Sequence, residues 1–256
     1  MFQGLFCYVV LLLQCGVFTA VTDQRILETP EERQARNYEE LRIRFRNEIF
    51  ISSLLWENEE HSDLVETREI IDTSAGRFDF NIQIPIVNIE NGEAEIINDL
   101  IWEEYIVYAT NIVENARVHT IFNVDYAAYI NDNILSIVIR STYRSGRERL
   151  TIRTFNIDLN TNEFLTLEDI IARRNLDTRE MQEKIDEEIE AIARHQEAVQ
   201  ETIDDPRVEV LLRDPSDKMY RIENIDNFFI GERGHLFIVF AYGNESYTRD
   251  VDLVIF

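Results

Sequence analysis

The twelve residues Asp158 to Asp169, DLNTNEFLTLED, place Asp158, Asn160 and Asn162 at the first, third and fifth positions of a loop. Leu165 stands at the eighth and Asp169 at the twelfth, which is the oxygen-donor spacing of a loop that wraps a calcium ion. Two features oppose that chemistry. The sixth position, where a calcium loop turns sharply on glycine, is Glu163, and Asp169 is one methylene shorter than the glutamate that grips the ion with both oxygens. The preceding RERLTIRTFNIDL is rich in β-branched and aromatic residues and reads as a strand rather than an entering helix. The expectation is a hairpin turn at Asn160–Thr161–Asn162–Glu163, a short strand Phe164 to Leu165, and a helical turn capped by Thr166 with Asp169 as the capping-box acid.

Other catalytic chemistry has little to work with. The chain contains no GxSxG, HExxH, P-loop or GxGxxG sequence, so no nucleophile elbow, zinc helix or phosphate cradle is written in it. His61, His119, His195 and His235 are scattered along the chain. Glu60, His61 and Asp63 in EEHSD could ligate a metal, but such residue types read more simply as a solvated loop. With 49 acidic residues, adjacent pairs such as Glu103 with Glu104 and Asp204 with Asp205 carry no information. No cofactor is expected. Trp56, Trp102 and the ten tyrosines could stack on sugar or peptide. Amphipathic aromatics commonly edge a core, so Tyr105, Tyr108, Tyr126 and Tyr143 are expected to face inward, leaving Trp102, Tyr129, Tyr242 and Tyr247 at the surface. Asn244–Glu245–Ser246 is a glycosylation sequon.

The charge balance narrows the partners. Acidic residues outnumber basic ones 49 to 25, for a net charge of −24. That sign disfavours nucleic acid and anionic lipid and would steer a cationic partner inward. Residues 1–22, MFQGLFCYVVLLLQCGVFTAVT, are uncharged and hold an apolar run of signal-peptide length. They are expected to act as an export signal cleaved near Ala20, or as an N-terminal anchor. Cys7 and Cys15, the two cysteines, both lie inside that run, so residues 23–256 contain no disulfide, no cysteine zinc site and no thiol nucleophile.

The remaining pattern must supply the scaffold. Thr29, Pro30 and Glu32 open a helix, and Leu41, Ile43 and Phe45 alternate as a strand. Residues 47–63 are ambiguous between helix and strand. Phe78, Phe80, Ile82 and Ile84 alternate, with Pro85 marking an edge or a strand end. From Glu93 to Asn115 the residues Ile97, Ile101, Tyr105, Tyr108 and Ile112 recur at helical spacing and predict a long helix covering a sheet. Phe122 to Ile130 and Leu135 to Tyr143 alternate on either side of NDN, predicting a hairpin, and Gly146 turns the chain into the next strand. Asp177 to about Ile203 is a second helix, with Met181, Ile185, Ile189, Ile192 and Val199 on one face. HLFIVFAYG and RDVDLVIF are closing strands. This order predicts an α+β fold, a mainly antiparallel sheet packed by two long helices, with residues 1–22 as the signal or anchor, 23–75 as a helix and strand extension, and 76–256 as the main domain.

IPIVN with AEIINDLI after it, the hairpin FNVDYAAYINDNILSIVIRSTY, the turn FNIDLNTNEFLTLEDII, and FFIGERGHLFIVFAYGNES together resemble the extracytoplasmic domain of unknown function shared by RsiV-type anti-sigma factors and PdaC-type peptidoglycan deacetylases. The resemblance covers about Gly76 to Phe256, and its most specific piece is the LSI…Y…NIDLNTNEFLTLEDI succession. Family members usually carry a Gly-Gly-Ala-His type sequence where this chain has Ser145–Gly146–Arg147–Glu148. They also carry a proline-containing loop before the last strand where this chain has AYGNESYTRD. The resemblance implies an exported, non-enzymatic ligand-binding or sensing module at the bacterial cell surface, periplasmic, extracellular or membrane-anchored. The implied partner is a cationic protein such as lysozyme, or a cell-wall component. Cell-wall polymer hydrolysis and a calcium-dependent structural role are the alternatives. The loop Tyr242 to Arg249 joins the closing strands and sets aromatic rings beside polar groups, so Tyr242, Asn244, Tyr247 and Arg249 are the candidate ligand-binding residues.

Overall fold

The computed structural model describes residues 63–90, 92–203, 212–231, 233–240 and 251–256, all within one compact unit, Glu48–Phe256. The helix predicted after Thr29, the strand at Leu41 to Phe45 and the loop Tyr242 to Arg249 lie outside these residues.

Alternation writes the main sheet. Strands β1 (Val65–Ser74), β2 (Phe78–Val87), β3 (Thr120–Asn131), β4 (Ile134–Ser145), β5 (Arg147–Asp158) and β6 (Glu163–Phe164) lie in that spatial order. The hairpins obey local turn chemistry. Asp132 and Asn133 both take positive φ, 52° and 59°, the two-residue turn that matches the strand twist. Gly146, at φ 90°, reverses the chain between β4 and β5. Four of the five pairings are antiparallel, whereas β2 and β3 run parallel, Phe78 opposite Thr120 through Ile82 opposite Val124. A helical crossover returns the chain to the start of the next strand, as parallel pairing requires. Beyond Ile82, β2 has only β1 beside it, which is where Pro85 sits, consistent with its missing N–H. β1 pairs along its whole length with β2, so Val65–Ser74 is continuous with the main sheet.

The crossover is α1 (Gly92–Ile101), a π-helical segment (Trp102–Val107) and α2 (Tyr108–Asn115). The structure corrects the expectation of two long α-helices: the first is interrupted, and only α4 (Thr178–Thr202) is one uninterrupted α-helix of that length. The buried face explains why. Ile97, Ile101, Tyr105 and Ala109 succeed one another at steps of four before Ile112. On a helix of 3.6 residues per turn each such step drifts about 40°, and the wider π turn absorbs the drift. Residues kept on the sheet side are each stabilised by about 1.5–3 kcal/mol where large and fully buried. They close the first core against Phe80, Val124, Tyr126, Ile137 and Ile139.

A second, three-stranded sheet, β7 (Phe228–Ile230), β8 (Leu236–Phe240) and β9 (Asp252–Ile255), takes in both closing strands. It builds a second core with α3 (Leu167–Arg174) and α4, centred on Ile170, Met181, Ile185, Ile189 and Ile238. Thr166 caps α3 in a full capping box with Asp169, and Asp177 caps α4 through the amides of Arg179 and Glu180. On α4 the expected apolar face ends early, because Ala193 is buried while Val199 is exposed.

Candidate functional site

The segment Asp158 to Asp169 is a hairpin. Asn162, at φ 59°, completes the turn between β5 and β6, and β6 runs Glu163–Phe164, one residue earlier than expected. One Asp158 oxygen accepts the Asn160 amide at 2.8 Å and the other accepts the Arg173 guanidinium. Asp169 accepts the Thr166 amide at 2.8 Å and its hydroxyl at 2.6 Å. Both carboxylates that would lead and close a calcium loop are thus engaged in turn and cap. Among the described residues, no group of three or more histidine, cysteine, aspartate or glutamate side chains is placed to hold a metal.

A cavity of about 160 Å³ opens instead under the π-helical segment, lined by Glu104, Tyr105, Tyr108, Phe122, Ser141, Tyr143, Arg149 and Thr151. Strand register assembles its floor. Phe122 lies opposite Tyr143 on β3 and β4, Tyr143 opposite Arg149, and Ser141 opposite Thr151 on β4 and β5. The Ser141 and Thr151 hydroxyls meet at 2.5 Å, so one donates to the other and the second proton remains for another acceptor.

The π-helical segment makes the roof. Arg68 of β1 lies 4.4 Å above the Trp102 ring, and Arg153 approaches the Glu104 carboxylate at 3.6 Å. Tyr105 is 1% exposed, and its hydroxyl has no hydrogen-bond partner of normal geometry. Burial pushes that hydroxyl well above the usual phenol range, the charge of the adjacent Glu104 carboxylate pushes the same way, Arg153 opposes them, and a loose contact of the hydroxyl with the Glu104 carboxylate adds to the rise. It therefore stays protonated and can donate at neutral pH.

Tyr108 departs from its expected place. The π turn swings it off the core-facing stripe, leaving it 41% exposed, with its ring edge-on to Phe122 at 5.3 Å and to Tyr143 at 6.0 Å. Tyr143, expected on a buried face, is only half-buried, because it lines the cavity with the edge-on Tyr108 ring against it. Tyr126 is buried as expected, its hydroxyl 2.6 Å from that of Thr67. Tyr129, expected as a free surface ring, stacks on Phe229 at 5.6 Å, while Trp102 is 39% exposed.

The arrangement combines three aromatic rings, a hydroxyl pair, a buried phenol and an arginine, groups able to hold a small molecule by packing, hydrogen bonds and charge. Of the residues singled out in the sequence, Tyr242, Asn244, Tyr247 and Arg249 lie outside the described residues, as do Glu60 and His61. Ser141, Thr151 and Arg149 belong to no motif and were not expected as a site. The available signal was a break in the alternation of β4 and β5, where Ser141 and Thr151 replace the aliphatic and aromatic residues that fill the same face at Ile137, Ile139, Phe155 and Ile157.

No family model matches the chain, and no curated protein matches it. Among solved structures, it is similar to a DUF3298 family protein from Pseudomonas aeruginosa PAO1 at 12% identity and a TM-score of 0.46, covering 74% of this chain and 88% of that one. It is also similar to a member of the DUF3298 family from Bacteroides fragilis NCTC 9343 at 13% identity and a TM-score of 0.25, covering 46% and 72% respectively. Among the described residues no helix is long and apolar enough to cross a membrane.

Proposed function

We propose that this chain is an exported, non-enzymatic binding module of the RsiV and PdaC accessory-domain type, and that it engages a ligand of the cell envelope through the cavity beneath the π-helical segment. The observation that carries this reading is the Tyr105 hydroxyl, buried without a hydrogen bond of normal geometry beside Glu104 in the wall of a cavity also lined by Ser141, Thr151 and Arg149. A buried polar group without a partner destabilises a fold by about 1–3 kcal/mol, and a ligand acceptor relieves that cost. Tyr108 and Tyr143 supply the amphipathic surface on which a ligand ring rests. The test exposes the full-length chain and its Thr151→Leu variant, which fills the cavity, to cell-envelope extracts, and identifies by mass spectrometry what each retains. A species held by the wild type and lost by the variant is the expected result. Identical retention by both would sink the reading.

A second reading, a cationic protein partner of lysozyme type at Tyr242, Asn244, Tyr247 and Arg249, is favoured by the net charge of −24. Steering by that charge makes association slow as salt rises. Tyr242→Ala and Tyr247→Ala are expected to speed dissociation and leave the approach rate unchanged. Surface-immobilised chain and a lysozyme-type protein at two salt concentrations test both statements, and no binding at low salt ends this second reading.

A further inference from the structure

We infer that the cavity beneath the π-helical segment is a subsite for a six-membered sugar ring bearing a carboxylate. This rests on the binding-module reading and names its ligand class.

Size sets the first limit. A cavity of about 150 Å³ holds one benzene ring, so a cavity of about 160 Å³ takes a single six-membered ring. Because Tyr108 at its edge is 41% exposed, the ring can be one unit of a longer chain that continues into solvent.

Charge sets the second. The whole chain carries −24, yet this site runs the other way. The lining holds one carboxylate, Glu104, and one guanidinium, Arg149; Arg153, just outside it, lies 3.6 Å from Glu104, whereas Arg149 has no ion-pair partner among the described residues. Three aromatic rings alone would suit an organic cation, but with Glu104 engaged by Arg153 the charge left at the cavity is that of Arg149, which repels it. An anionic group reaching Arg149 gains a charge-assisted, two-pronged contact.

Polarity sets the third. An aromatic acid would satisfy Arg149 and pack on Tyr108, Phe122 and Tyr143. It would leave the Tyr105 hydroxyl, which lacks a hydrogen bond of normal geometry, and the spare proton of the Ser141–Thr151 pair dehydrated and poorly satisfied. Ring hydroxyls and the ring oxygen of a sugar supply acceptors for both, while the C–H face of the ring rests on the tyrosines.

Calorimetric titration of the full-length chain with glucuronate, glucose and benzoate tests the assignment. Glucuronate is expected to bind at least tenfold more tightly than glucose or benzoate. Arg149→Gln is expected to erase the preference for glucuronate over glucose with no change in melting temperature. Tyr105→Phe is expected to weaken glucuronate binding while holding or raising the melting temperature, an outcome that a purely structural role for that hydroxyl would not give. Glucuronate binding no better than glucose, or Arg149→Gln leaving the preference intact, overturns the carboxylate assignment. If none of the three probes binds while Thr151→Leu still loses a retained envelope species, the sugar-acid assignment falls and the binding module stands. If retention is also unchanged, both fall.

Discussion

Asn98 of α1 and Val87 at the end of β2 are joined by two hydrogen bonds, the Val87 amide donating to the Asn98 side-chain oxygen at 2.8 Å and the Asn98 side-chain amide donating to the Val87 carbonyl at 3.0 Å. The side chain stands in for the strand that β2 lacks on that side beyond Ile82, satisfying backbone groups that would otherwise lie under the helix.

Asn98→Asp keeps the acceptor but sets a carboxylate against the Val87 carbonyl. It is expected to destabilise the fold by about 1–3 kcal/mol, read as a lower urea midpoint with an unchanged slope. A midpoint equal to that of the wild type would show that the pair does not hold β2.

Asn156 ties the two sheets together. It accepts from the Ser136 hydroxyl at 2.6 Å and donates to the Phe228 carbonyl at 2.8 Å, while Ser136 accepts the Ile230 amide at 3.0 Å. Side chains on one sheet thus satisfy the free edge of β7. Asn156→Leu strands at least the Phe228 carbonyl, and a loss of about 1–3 kcal/mol is expected. Faster amide exchange at Phe229 and Ile230 should accompany it if β7 is loosened, and unchanged exchange there would argue against the tie.

Arg213 and Asp252 form a buried, two-pronged ion pair at 2.7 and 3.1 Å, with the Tyr220 hydroxyl donating to the same carboxylate at 3.3 Å. Removing Asp252 alone takes the paired carboxylate from a buried guanidinium, so Asp252→Ala is expected to destabilise by up to about 3–5 kcal/mol. Exchanging both for apolar residues of similar volume, Arg213→Met with Asp252→Leu, is expected to recover much of that loss. A double variant no more stable than Asp252→Ala would contradict this account.

Acid stability separates the aspartates by sign. The Asn160 amide, and after it the Arg173 guanidinium, hold Asp158 below its ordinary range, and the Thr166 hydroxyl and amide do the same for Asp169. Stability from such depressed groups is present above the ordinary aspartate range and is lost as pH falls through the native value. Asp125 runs oppositely: burial raises it despite the opposing hydrogen bond and charge of Arg140, so its contribution declines as pH rises from the ordinary value through the native one. Asp158→Asn should therefore be less stable than the wild type at neutral pH and lose less on acidification. Denaturant midpoints between about pH 3 and 6 check this, and an acid slope equal to that of the wild type would refute the assignment.

Alternation and turn chemistry were legible in the sequence because both are local. Asp132–Asn133, Gly146 and Asn162 mark the turns, and Thr166 with Asp169 and Asp177 mark helix starts, through contacts within a few residues of one another. The mainly antiparallel sheet is their consequence. That a helix from Glu93 to Asn115 covers a sheet was legible, but which strands lie under it was not, since periodicity reports which side is buried and not what lies against it. The parallel pairing of β2 with β3, the tie from Asn156 to Phe228, 72 residues away, and the Arg213–Asp252 pair, 39 residues apart, are choices of partner made only on folding. The candidate cavity belongs to the same class. The sequence placed Tyr108 at helical spacing in the core, but packing of Ile97, Ile101, Tyr105 and Ala109 against a sheet required a wider turn. That turn moved Tyr108 to the mouth of a pocket whose floor comes from three strands.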